Sequence, residues 1–122
     1  MAYKNIDQLF DKEDVKRPKA VFQTLMYALM LKYNSKHYEK TTMRPNVFQI
    51  KKIMSAEYSP QIYQKDGRGN VEELLDYNSI AGEYEDKFRI LLEEIFDPTI
   101  PFKQCSSAKK CEYCSFKNIC GR

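Results

Sequence analysis

Pro18-Lys-Ala-Val-Phe-Gln23-Thr-Leu-Met-Tyr27-Ala-Leu-Met-Leu-Lys-Tyr33 carries apolar side chains at three- and four-residue steps: Val21, Phe22, Leu25, Met26, Leu29, Met30 and Tyr33. That is the period of an α-helix. Pro18 suits its start, because a first helical turn leaves its amide hydrogens unpaired anyway. Ala28 and Leu31 widen the apolar face until it nearly encircles the helix, which predicts burial on most sides. Gln23 and Tyr27 interrupt it one turn apart and so share a face. A buried amide or phenol without a partner costs about 1–3 kcal/mol, so the pair is expected to bond each other or nearby backbone.

Outward from this helix the chain reads as one unit. Residues 1–17 form a lead-in segment with a short apolar cluster, Ile6, Leu9 and Phe10, and then a charged run in which Asp14 is a candidate helix cap. After the helix, residues 34–44 are polar and basic and hold the only histidine, His37, expected to face solvent. Residues 45–54 carry the β-formers Val47, Phe48, Ile50 and Ile53 behind Pro45 and predict a strand. Residues 58–64 and 71–77 predict two more, joined by the turn Asp66-Gly67-Arg68-Gly69-Asn70. Those glycines match no phosphate-cradling motif. Ser79 is a candidate N-cap for a second helix over 80–96, with Tyr84, Phe88, Leu91, Leu92 and Ile95 as its apolar stripe and its carboxylates mostly off it. Asp97-Pro98 ends that helix. The expected fold is α+β: a buried helix, a small antiparallel strand pair or triplet, an amphipathic helix, and a cysteine-rich tail. The parts are the lead-in over 1–17, a helix–strands–helix body over 18–104 and the tail over 105–122.

All four cysteines lie in the tail, spaced C-x5-C-x2-C-x5-C: Cys105, Cys111, Cys114 and Cys120. Four thiols so close can wrap one tetrahedral metal or an iron–sulfur cluster. Disulfides and buried unliganded thiols are the other two readings. The opening residues are not a signal peptide, which predicts a reducing cytoplasm and disfavours disulfides. The longest apolar run, 21–31, is interrupted and too short for a bilayer, so a membrane role is not expected. The formal net charge is only +3, but it is unevenly spread. Lys32, Lys36, Lys40, Arg44, Lys51 and Lys52 face a single acid, Glu39, over 32–52, and the tail is basic too. These groups are either a phosphate-facing surface or an ordinary solvated one.

Several separated features agree in order: Gln23-x3-Tyr27 on a helix, Phe88-Arg-Ile-Leu-Leu-Glu-Glu-Ile-Phe96 running into Asp97-Pro-Thr-Ile-Pro-Phe102, and Cys111-x2-Cys114-x5-Cys120 at the end. This order resembles the C-terminal part of the RecB-like nucleases of the PD-(D/E)XK superfamily. It looks most like the AddB-type subunits of bacterial helicase–nucleases and their Bacteroidetes-like relatives. The resemblance implies DNA as substrate, phosphodiester hydrolysis in DNA repair, and a bacterial cytoplasmic setting with a helicase domain or partner subunit. It implies that Gln23 and Tyr27 are accessory residues that position DNA or metal ligands. It also implies a structural [4Fe–4S] cluster, with Cys111, Cys114 and Cys120 as three ligands and Cys105 as a replacement fourth or an incidental thiol. Thiolates take zinc as readily, so zinc stays open.

In such nucleases an Asp and an Asp/Glu-x-Lys on adjacent strands hold Mg2+ or Mn2+, which clamps the phosphate and activates water. No Pro-Asp strand precedes Gln23 here. The only acidic-x-Lys triplet before it is Asp14-Val-Lys16, in a polar stretch. The chain is therefore expected to be a C-terminal segment without catalytic residues of its own, inactive alone and able to self-associate through uncovered apolar surface. The alternative is a stand-alone zinc-ribbon-like module that binds nucleic acid or protein.

Overall fold

The computed structural model of the chain describes residues 1–38, 41–101, 103–104 and 108–121. In order, the elements are β1 (Ala2–Tyr3), α1 (Ile6–Phe10), α2 (Lys19–Asn34), a 3-10 turn at Ile50–Lys52, β2 (Tyr63–Lys65), β3 (Val71–Glu73), a second 3-10 turn at Tyr77–Ser79, α3 (Ala81–Phe96) and α4 (Ala108–Cys111). The expected α+β class is borne out, and so are both long helices within a residue at each end. Pro18 is the N-cap of α2 and Asp97 the C-cap of α3, as proline and the Asp-Pro step dictate.

The caps sit elsewhere than expected. Asp14 accepts the amide of Lys16 at 2.7 Å and so closes a turn ahead of α2 rather than capping the helix. Asn5 caps α1 by accepting the amide of Gln8 at 3.0 Å. Ser79 caps nothing: its hydroxyl donates to the carbonyl of Asp76 at 2.8 Å. Asp76 is the cap instead, accepting the amide of Asn78 at 3.0 Å ahead of the short turn that leads into α3.

The sheet is mixed, not antiparallel throughout. β2 and β3 form the expected hairpin, with Tyr63 opposite Glu73 and Lys65 opposite Val71, but only next to the turn: residues 58–62 and 74–77 of the expected strands lie outside both. β1 lies parallel to β2, Ala2 beside Tyr63, so the lead-in supplies a strand that periodicity could not reveal in two residues. Residues 45–54 are not a strand. One isolated bridge joins Asn46 to Gln61, and the chain then bends into the turn at Ile50–Lys52. A strand needs an edge to pair with; among the described residues one meets this stretch only at its start, where the Val47 amide donates to the Pro60 carbonyl, and none faces Phe48, Ile50 or Ile53.

The core lies where α1, α2 and α3 meet the hairpin. Leu9, Val21, Leu25, Ile62, Tyr77 and Tyr84 are fully buried there. Each large apolar side chain so placed is worth about 1.5–3 kcal/mol over exposure. Phe10, Phe22, Tyr84 and Phe88 join the helices by ring contacts, Phe10 lying 5.3 Å from both Phe22 and Tyr84. Ion pairs trim the outside: Lys87 with Asp7 at 2.6 Å, Lys12 with Glu94, and Arg44 with Glu73. Exposed pairs of this kind contribute about 0–1 kcal/mol each.

Candidate nucleic-acid interface

α2 is apolar nearly all round, yet only one side of it is covered. Val21, Leu25, Ala28 and Leu29 point into the core. On the opposite side Gln23, Tyr27, Met30, Leu31 and Asn34 form an exposed stripe along the whole helix. Tyr27 is 58% exposed. The expectation that Gln23 and Tyr27 are buried within the helix face is therefore wrong. The apolar residues continue around the helix, but the chain covers only half of them. At its C-terminal end Tyr33 donates its hydroxyl to Glu85 of α3 at 2.7 Å, and that bond raises the Tyr33 pKa.

The basic candidates are scattered rather than gathered. Lys36, Lys51 and Lys52 are exposed, and Lys32 is half-buried at the end of α2. Arg44 is exposed but is engaged by Glu73, which takes part of its charge away from any ligand. Lys40 lies outside the described residues.

The carboxylates that could matter for metal chemistry are already engaged. Asp7, Asp11 and Asp14 line a shallow concavity with Lys4, Asn5 and Gln8. Asp7 is paired with Lys87. Asp11 accepts the amide of Glu13 at 2.8 Å and Asp14 accepts the Gln8 side-chain amide at 3.0 Å. The bond from Gln8, then that from the Lys16 amide, holds the Asp14 carboxyl below the usual range. The two acidic-x-Lys triplets of the chain fare no better. Asp14-Val-Lys16 sits in a turn, and Glu85-Asp-Lys87 sits on α3 with Glu85 bound to Tyr33 and Lys87 to Asp7. Among the described residues no three His, Cys, Asp or Glu side chains gather as a metal would need.

The same holds for the tail. Cys111 ends α4, Cys114 donates its amide to the carbonyl of Cys111 at 3.1 Å, and Cys120 is exposed beyond two further turns. The CxxC turn forms, but Cys120 is not brought round to it, and Cys105 lies outside the described residues. As placed, the three described thiols do not fit a cluster or a tetrahedral zinc. The tail touches the body through Lys110, which donates to the carbonyl of Lys12, and folds on itself through Gln104, which donates to the carbonyl of Cys120. No helix among the described residues is long and apolar enough to cross a membrane.

Two tyrosines make ties that the sequence pattern does not announce. Tyr58 closes the loop that follows Asn46, and Tyr84 ties α3 to α2 by donating to the carbonyl of Phe22 at 2.8 Å. Tyr84 was legible only as one position of an apolar stripe, and Tyr58 only as the first residue of the strand expected over 58–64, in which it does not lie.

Fold and surface together define a small α+β domain with a helix stripe left bare and no assembled metal site among the described residues. The chain belongs to the PD-(D/E)XK nuclease superfamily, which it matches over residues 3–121. No curated protein and no solved structure matches it.

Proposed function

We propose that this chain is the C-terminal segment of a RecB- or AddB-like DNA nuclease, and that it contributes scaffold and DNA contacts rather than the hydrolytic residues. The single observation that carries this is the bare side of α2. A helix apolar on both sides is stable in water only when something covers both. The covered side faces this chain's own core, and the other carries Gln23 and Tyr27 among Met30 and Leu31. The catalytic sheet of the whole nuclease is the partner that fits it, since the two acidic-x-Lys triplets here are bound up in a turn and on a helix. In this reading Gln23 and Tyr27 reach across that junction toward DNA or the metal ligands. Mg2+ or Mn2+ would be held by the other segment. For the cysteine tail, only the spacing of Cys111, Cys114 and Cys120 supports a cluster or zinc; their present placement does not.

The test is a nuclease assay with Mg2+ or Mn2+ on the 122-residue chain, single- and double-stranded DNA being offered in turn. No turnover is expected from the chain alone. Robust hydrolysis that survives repurification would overturn the assignment of the catalytic residues to another segment. Iron and zinc analysis on anaerobically prepared protein reads the tail independently.

A further inference from the structure

Residues 47–58 form a loop that the chain fastens at its base and leaves bare at its tip. The bridge from Asn46 to Gln61 closes it, and the Val47 amide donates to the Pro60 carbonyl at 2.8 Å. Tyr58 adds a clasp. Its hydroxyl donates to the carbonyl of Val47 at 2.7 Å and accepts the amide of Gln49 at 2.6 Å. Between these ties run successive turns, Lys52 amide to Gln49 carbonyl, Ser55 to Lys52, and Tyr58 to Ser55. Compact loops with fastened ends hold their side chains in place, and binding sites recur on them.

What this loop holds out is unusual for a surface. Phe48 is 67% exposed, Ile50 86% and Met54 94%, with Lys51 and Lys52 exposed among them. Glu57 is the one carboxylate of the loop, and among the described residues neither Lys51 nor Lys52 is held in an ion pair. An exposed ring and apolar side chains beside unpaired lysines suit a ligand that offers flat apolar faces and negative charge at short spacing. Single-stranded nucleic acid does this, because its bases are free to stack while its phosphates meet the lysines. A duplex presents its phosphates alone, its base faces being stacked on one another.

We propose that the loop over 47–58 is a single-strand contact, in which Phe48 stacks on a base and Lys51 and Lys52 hold the flanking phosphates. It rests on the nuclease reading only for the choice of DNA over RNA.

The experiment is fluorescence anisotropy of labelled oligothymidine and of a duplex of equal length against the full chain, over a salt series. The expected result is preference for the single strand. Phe48→Ala should weaken single-strand binding about fivefold or more, the low end for losing one base–aromatic stack, and Phe48→Tyr should restore it. Lys51→Glu with Lys52→Glu should weaken both ligands and flatten the salt dependence by about one to two phosphate contacts. Lys65→Glu, on β2, should change little. Circular dichroism confirms that each variant is folded. Wild-type affinity in the loop variants overturns the proposal while leaving the nuclease reading intact. So does a loop variant that alters self-association in light scattering but not DNA affinity, which would make the loop a protein-binding surface.

Discussion

Tyr77 and Tyr84 lie with ring centroids 6.3 Å apart in the core, and their hydroxyls are in opposite circumstances. Tyr84 donates to the Phe22 carbonyl, whereas the buried hydroxyl of Tyr77 has no hydrogen-bond partner among the described residues. Tyr84→Phe keeps the ring contacts with Phe10 and Phe88 and removes the tie between α3 and α2. It should cost about 1 kcal/mol in urea denaturation. Tyr77→Phe removes a hydroxyl that gains nothing from its burial, so it should cost nothing or stabilise by up to ~1 kcal/mol. Equal losses in the two variants would mean that the Tyr77 hydroxyl has a use the geometry does not account for. At this scale the sequence was a partial guide. Apolar periodicity places Leu25 or Val21 in the core because their chemistry allows little else. Gln23 and Tyr27 defeated it, because period alone says which residues share a face but not whether the chain can cover that face.

The β2–β3 hairpin shows what local chemistry can and cannot determine about an element. Its turn was legible because the residues themselves dictate it. The Asp66 carboxylate accepts the amides of Arg68 at 2.9 Å and Asn70 at 2.8 Å, and the Asn70 side chain at 2.7 Å. Gly69 stands at φ +90°, where a Cβ is strained, so Gly69→Ala should cost about 1 kcal/mol. The bonds from Asn70, foremost, hold the Asp66 carboxyl below its ordinary 3.8. A carboxyl whose folded pKa is lowered contributes stability that is complete above the unfolded value and is lost as pH falls through the folded one. The hairpin should therefore loosen below pH 3.8, seen as a loss of protection of the Asn70 amide relative to the unstructured exchange rate at the same pH, and Asp66→Asn should remove most of that loss. An Asn70 protection factor that stays constant across that window would refute it. The strand expected over 45–54 failed for the converse reason. β-Propensity records a fit to a half-buried pleat, and Phe48 and Ile50 have no neighbouring edge here to provide one.

At the scale of the molecule, three buried tyrosines come from three separate parts of the fold. Tyr3 sits on β1, Tyr77 in the turn before α3, and Tyr84 on α3. No periodicity reveals that these parts meet, because two-residue strands and single turns leave no pattern to read, so the mixed sheet and its core were less legible than the helices. Their meeting has a consequence at high pH. Burial first, then Glu83 and Glu72, pushes the Tyr3 phenol from 10.0 up to about 12. Burial likewise raises Tyr77, helped by Glu85, and Tyr84, helped by Tyr77. A raised folded pKa means that the unfolded chain releases its proton first as pH climbs. Stability should thus be intact below the unfolded value of 10.0 and fall away as pH rises through the folded values. Phenolate absorbance and helix content followed together should show two populations. Some of the nine tyrosines ionise while the helices persist, and the rest ionise only as helix signal is lost. Tyr3→Phe should move that second, cooperative step to higher pH by removing one of the protons whose release drives it. Nine phenols titrating in one smooth step near 10.0, with α2 and α3 undisturbed, would show that the three rings do not close a common core.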